Sequence, residues 1–492
     1  MRGGERGVQG TWDTWISSRL ESLTQNNVLR SLRPVEPSSG DEASSDVNAI
    51  PTSSSTSVFV AEATMRAWRS DRHDLGGSTD NSVVRVARTQ MGGSVPSTSY
   101  TQTHGNEPTS SSQKLTLFSS NDYLGLGSHE KVCQAASNAA IQYGAGPRSS
   151  PLICGYTKLH RELEVQLARL KHTEECLLFP TGFAVNTGII PSLCDSSNCE
   201  IFSDELNHAS IVDGCKLAKL KGVTVTTYRH CNIRDLERVL RKSNKKRKLI
   251  ITDSLFSVDG DWAPLQEIVN LKRKYKNVLV MIDEAHSTLV CGETGAGACE
   301  MFGVDGLLEQ ETGAAVDVHV GTLSKAFGSH GGFACCSANV KSILVSTSRS
   351  QIFSTSLPAP LVAAALASLH IASGSDDGIN EGHMLRAKLW RHVERLNQVL
   401  CGSNNSGRTP KLIGKGTCSA IVSPIFVITF GDEWKALAAS RELLTRGIHA
   451  PAIRPPTVPK GTSRVRIALS AAHSDEDIAL LIEALTMREA RL

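Results

Sequence analysis

A chain of 492 residues is long enough for two or three domains around a sizeable core, and a formal charge of +3 with 21% charged residues offers no basic field for nucleic acid. No apolar run approaches the roughly eighteen residues that cross a bilayer, so neither nucleic acid nor a membrane is an expected partner. The thirteen cysteines are scattered without a C-x-x-C pair or His/Cys ligand spacing, which fits reduced thiols in an intracellular protein and no metal centre.

In chain order, residues 1–36 read as an N-terminal helical arm; Glu5, Asp13 and Glu21 suit neither a secretory nor a transit signal. Residues 37–114 turn to Ser and Thr, as in Ser53-Ser54-Ser55-Thr56-Ser57, and cannot bury enough surface to offset the entropy of ordering them. A flexible insertion is expected there, with a short helix near Ala61 to Trp68. From Lys114 onward, apolar β-rich runs (Cys176 to Phe179, Leu249 to Thr252, Val278 to Asp283, Val318 to Thr322) alternate with helical spacings such as Leu159, Leu163, Leu167 and Leu170. That alternation predicts an α/β fold: a mostly parallel central sheet flanked by helices across 115–372, then a smaller C-terminal α/β domain over 373–492.

In an open parallel sheet, ligands sit beyond the carboxyl ends of the strands. Asp283-Glu284-Ala285-His286 follows one such strand; taken alone, Asp283 also fits a helix cap. Gly321-Thr322-Leu323-Ser324-Lys325-Ala326-Phe327-Gly328 follows another. A lysine among small residues and opening into glycines is an odd surface residue, and desolvation lowers a lysine's pKa until its amine can attack a carbonyl. Lys325 as an imine-forming lysine makes sense of Asp283 as the carboxylate that keeps a cofactor's pyridine nitrogen protonated. Phe179 to Asn186 reads as a strand entering a helix, whose free first-turn amides and dipole suit a phosphate, although generic strand-to-helix packing accounts for it more readily when it is taken alone. His208, in Asp204 to Ser210, fits a ring that stacks on a cofactor, or a satisfied loop histidine, and Ser257 follows a strand where a cofactor's ring hydroxyl could come within reach. Arg454, Arg464 and Arg466 offer guanidinium groups for carboxylates, or surface salt bridges.

With Asn121-Asp122-Tyr123-Leu124-Gly125, Asp283 to His286, the lysine loop and Ala452-Ile453-Arg454-Pro455-Pro456-Thr457-Val458-Pro459 in hand, the chain resembles the α-oxoamine synthases. These belong to the fold-type I pyridoxal-phosphate enzymes, with an aspartate-aminotransferase-like fold. The Arg-Pro-Pro-Thr form resembles the oxononanoate synthases more than the aminolevulinate, serine-palmitoyl or aminoketobutyrate enzymes. The resemblance implies pyridoxal 5'-phosphate on Lys325, Asp283 at its pyridinium, and His208 over the ring. It implies Gly182, Phe183, Ser257, His286 and Thr322 around the cofactor, with Ser354 and Thr355 reaching the phosphate of a partner subunit in a homodimer whose active site lies at the interface. Asn121 and Arg466 would hold the amino acid's carboxylate, while Arg30, Arg454 and Thr457 would serve the acyl substrate.

The implied reaction joins L-alanine to a pimeloyl thioester, on coenzyme A or a carrier protein, with loss of carbon dioxide. A sister synthase of the glycine C-acetyltransferase, 5-aminolevulinate or serine-palmitoyl type, and a non-catalytic subunit of such an enzyme, are the alternatives. Ala490-Arg491-Leu492 has the chemistry of a peroxisomal address and equally of a helix end, so peroxisome or cytosol is expected.

Overall fold

Apolar runs that do not alternate call for strands buried on both faces. In the computed structural model, described for residues 36–37, 57–61, 112–306, 314–374, 380–402 and 422–489, the chain falls into two units, with a boundary between Leu115 and Thr116. In the first, β1 (Glu36–Pro37) pairs antiparallel with β2 (Ser57–Ala61). Most of the arm at 1–36 and of the insertion at 37–114, Arg30, Ala490-Arg491-Leu492 and all but the first residue of the helix expected near Ala61 to Trp68 lie outside the described residues, and Ala61 ends the strand β2.

The second unit holds the chemistry. After β3 (Ser112–Leu117) come β4 (Glu175–Phe179), β5 (Cys199–Asp204), β6 (Thr224–Tyr228), β7 (Arg247–Asp253), β8 (Val278–Asp283), β9 (Val318–Thr322) and β10 (Gly332–Cys336). The last seven form one sheet in the order β4-β10-β9-β8-β7-β5-β6. From β9 to β6 every pairing is parallel, and β10 runs antiparallel to both of its neighbours. Successive side chains point to opposite faces. Thus Phe202, Ile250, Val280 and Ile282 join one apolar cluster, while Ile201, Leu249, Ile251 and Met281 join another across the sheet.

Helices close both clusters. On one face α2 (Lys158–Leu170), which follows α1 (Glu130–Tyr143), supplies Leu163 and Leu167. On the other, α3 (Gly182–Leu193) and α4 (Ala209–Lys219) supply Val185, Ile189, Ile190 and Ile211. A smaller antiparallel sheet, ordered β11-β14-β13, is built from β11 (Ile425–Gly431), β13 (Ala452–Ile453) and β14 (Ser463–Ala468), while β12 (Ile448–His449) pairs parallel with Thr116 and Leu117 of β3. Phe426, Val427, Val465 and Ile467 continue the first cluster, which brings the polar side of β14 over the carboxyl ends of the larger sheet. No helix among the described residues is long and apolar enough to cross a membrane.

Candidate active site

Parallel register decides where the acids fall. β7 and β8 pair so that Asp253 lies directly beside Asp283, each the last residue of its strand and each buried. Two buried carboxylates side by side are costly unless hydrogen-bonded or protonated. Asp283 Oδ2 accepts from Asn186 Nδ2 at 2.7 Å and Oδ1 from the Ala285 amide at 3.0 Å. Asp253 Oδ2 accepts the His208 amide at 2.7 Å; burial first, then the charge of Asp283, pushes its carboxyl well above the usual range, so the pair need not carry two charges.

Lys325 lies in the connection from β9 to β10, which reverses through Gly328 (φ 59°) and Gly331 (φ 125°), conformations that favour glycine. Its Nζ is 2.8 Å from His286 Nε2, and His286 Nδ1 is 2.6 Å from the Tyr123 hydroxyl. Burial, aided by Arg466 and opposed by Asp283 and Asp253, lowers the Lys325 ammonium to about 8. The His286 imidazole is driven well below its ordinary value by burial and then by the cations of Lys325 and Arg466, which leaves a neutral ring with one donor and one acceptor. The chain of contacts continues: the Tyr123 hydroxyl donates to Asn121 Oδ1 at 3.4 Å, Arg466 Nη2 donates to the same oxygen at 3.0 Å, and Arg466 Nε donates to the Ser257 carbonyl at 2.6 Å. Lys325, His286, Asn121, Arg466 and Ser257 are therefore brought together, Ser257 through its backbone.

His208 caps α4, with Nδ1 accepting from the Ser210 amide at 3.2 Å and 2.7 Å from the Ser210 hydroxyl. Burial lowers its pKa; Asp283 raises it and Lys325 lowers it again, which places it in the field of both. Phe183 stands edge-on to it, with ring centroids 6.4 Å apart. Gly182 packs so closely on Thr322 that a Cβ there would lie 3.0 Å from its Cβ and Oγ1. Thr181 caps the Ala184 amide at 3.0 Å, leaving the amides of Gly182 and Phe183, ahead of it, as those an anion would take.

Other predicted residues stand outside this cluster. Ser354 is half-buried and Thr355 exposed; Thr355 lines a separate cavity with Tyr156, His160 and Glu164. Arg454 is 4.0 Å from Glu433, and Thr457 closes a turn through its amide to the Arg454 carbonyl at 3.0 Å. Conversely, Asn186, Tyr123, Asp253 and Ser210 were not singled out from sequence. Asn186 could have been: it is the one amide among Val185, Ile189 and Ile190 on the buried side of α3, one turn after Gly182. A buried amide in such company needs a polar partner, and it has two, Asp283 and Ser210 Oγ at 2.9 Å.

Behind Asp283, the next residue is locked in place. Glu284 Oε2 meets Lys171 Nζ at 2.8 Å and His319 Nδ1 at 2.8 Å, and Oε1 accepts the Cys299 amide at 3.0 Å, all of it buried. Glu284, Cys299 and His319 are near enough to share a metal ion, but the Lys171 ammonium already takes Glu284, and the cluster is an ion pair that fixes the turn carrying Asp283 and His286.

A part-buried amine of reduced basicity, hydrogen-bonded to a buried histidine and lying in the field of a hydrogen-bonded carboxylate that ends a parallel strand, defines a lysine enzyme for covalent carbonyl chemistry. The chain belongs to the aminotransferase class I and II family, whose model matches residues 113–485. Among curated relatives, it is 46% identical over 388 residues to the 8-amino-7-oxononanoate synthase of Arabidopsis thaliana, covering 76% of this chain and 75% of that one. Among solved structures, it is similar to a lysine-to-alanine variant of the serine palmitoyltransferase from S. paucimobilis with a bound PLP–myriocin aldimine, at TM-score 0.69 and 28% identity over 77% of this chain and 88% of that one. It is also similar to the 8-amino-7-oxononanoate synthase of Francisella tularensis, at TM-score 0.59 and 25% identity over 77% and 99%.

Proposed function

We propose that this chain is a pyridoxal-phosphate-dependent acyltransferase that condenses L-alanine with a pimeloyl thioester, releasing carbon dioxide, free thiol and 8-amino-7-oxononanoate, a step of biotin synthesis. The observation that carries the reading is the Lys325 amine, 2.8 Å from His286 Nε2 in the loop after β9, with Asp283 held by Asn186 at the end of the adjacent strand β8. The donor set fits the cofactor: an amine for its aldehyde, the Asp283 carboxylate for its ring nitrogen, and the amides of Gly182 and Phe183 at a helix N-terminus for its phosphate. Ser257, His286 and Thr322 would complete the cradle, with His208 over the ring. When bound, the cofactor supplies an electron sink for the negative charge left when the amino acid loses its Cα proton.

The chain's own residues do the rest. Lys325 is the base for that proton, since a lysine held near 8 is neutral often enough at physiological pH to accept one. Asn121 and Arg466, already joined at 3.0 Å, present amide and guanidinium to the amino acid's carboxylate. His208 is suited to steady charge developing on the thioester oxygen. Arg30, Arg454 and Thr457 are assigned to the acyl chain. The chain is further proposed to act as a homodimer in which Ser354 and Thr355 serve the partner's site, a reading in keeping with the exposure of Thr355.

The greater structural likeness to a serine palmitoyltransferase favours a sister reaction as the second reading. One panel decides: thiol release measured with alanine, glycine and serine, each against short, dicarboxylic and long acyl-coenzyme A donors. Alanine with pimeloyl-coenzyme A should turn over fastest. Preference for serine with a long-chain donor, or for glycine, would reject the assignment.

A further inference from the structure

Away from the active site, two thiols meet with no part in the chemistry above. Cys194 directly follows α3 and Cys199 opens β5; their Sγ atoms are 2.9 Å apart and both side chains are buried. The turn between them, closed by the Cys199 amide on the Ser196 carbonyl at 3.0 Å, is open to solvent at Asp195, Ser197 and Asn198. Arg247 spans the same turn, donating to Asp195 Oδ1 at 2.8 Å and to Ser196 Oγ at 2.9 Å.

We propose that Cys194 and Cys199 form a reversible oxidation site, closing to an intramolecular disulfide across this turn. The reacting sulfurs are already in contact, so closure needs a movement of only about 1 Å to reach covalent length, and the two cysteines flank one short turn that faces solvent. Their shared hydrogen bond splits the pair: it holds Cys199 below the ordinary thiol range in spite of burial, while the same bond and then burial raise Cys194 above it against the nearby Arg247 cation. Cys199 is thus the attacking thiolate. Cys176 and Cys335 also face each other across β4 and β10, but they lie on neighbouring strands inside the sheet, with no solvent-facing turn between them.

With hydrogen peroxide as oxidant, the Cys199 thiolate attacks one peroxide oxygen, the O–O bond breaks, and hydroxide leaves and is protonated to water. The Cys194 sulfur then attacks Cys199 Sγ, forming S–S and breaking S–O, and the second hydroxide leaves with the Cys194 proton as water. Two thiols lose two electrons and one peroxide becomes two waters.

The test uses the full chain loaded with cofactor, treated with a few equivalents of hydrogen peroxide, denatured in N-ethylmaleimide and digested with trypsin. The peptide from His172 to Lys216 contains Cys176, Cys194, Cys199 and Cys215. Peroxide should cut its maleimides from four to two, with fragmentation placing the bond between Cys194 and Cys199, and dithiothreitol should restore all four. The Cys199→Ser variant should carry three before and after treatment. Four maleimides after peroxide, a bond to Cys176 or Cys215, or stable over-oxidation of Cys199 without a bond would overturn the proposal. Should the variant fail to fold, the fragment map of the unaltered chain decides.

Discussion

Raising the pH of cofactor-free protein should expose the unusual basicity of Lys325. Burial and the neighbouring Arg466 lower its ammonium to about 8, while Asp283 and Asp253 hold it from falling further. With that value, about one amine in ten is neutral at pH 7 and about nine in ten at pH 9, whereas an ordinary lysine near 10.4 is neutral in fewer than about one in a thousand at pH 7. Trace labelling with acetic anhydride, read on the peptide that contains Lys325, should therefore rise about tenfold from pH 7 to pH 9 and then level off. An ordinary lysine climbs about a hundredfold over the same interval and keeps climbing. Replacing Asp283 by Asn removes a charge that favours the ammonium, so the plateau should begin at lower pH. A profile for Lys325 like that of exposed lysines would refute the claim that burial and charge have tuned this amine.

Asp283→Asn should also cut turnover at least a hundredfold while leaving cofactor bound, because the contact it removes stabilises charge developing in the reaction; unchanged kcat would contradict its role. Asn186→Ala leaves Asp283 Oδ2 and Ser210 Oγ without their amide donor, a cost of about 1–3 kcal/mol that a denaturant titration would detect. Lys171→Met strands Glu284 in the core and should cost about 3–5 kcal/mol. In the unaltered chain, Lys171 and His319 hold Glu284 at about 2 against the upward push of burial. Its stabilising contribution is thus complete above the ordinary value of 4.5 and lost as pH falls toward 2. An acid-unfolding curve for Lys171→Met that overlays the unaltered one would show the ion pair to be idle.

Strands buried on both faces were the most legible part of the fold, because their apolar runs are continuous: Val278–Asp283 and Val318–Thr322 fall where hydropathy puts them. β10, Gly-Phe-Ala-Cys-Cys, has no such signature; a leading glycine and a lack of β-branched residues hide it, and it is a strand because β4 and β9 sandwich it. β14 is legible only in part, for the opposite reason. Two arginines interrupt its apolar pattern, yet both are buried, Arg464 on Asp259 at 2.5 Å and Arg466 on the Ser257 carbonyl and Asn121.

The reactive pair Lys325 and Asp283 could be read from sequence because each follows an apolar strand and the ligand edge of a parallel sheet is known in advance. What could not be read is how the pair is held. The His286–Tyr123–Asn121–Arg466 chain joins residues separated by up to 345 positions, and only the packing of β14 over the larger sheet closes it. Asp253 was passed over because its importance lies in register: a one-residue slip of β7 against β8 would part it from Asp283.

The central claim is that the Lys325 amine carries the cofactor. Reconstituting the chain with pyridoxal phosphate, reducing with borohydride and mapping the phosphopyridoxyl group by peptide mass should place it on Lys325 alone, and on no residue in Lys325→Ala. A label on another lysine, or none at all, would contradict the account.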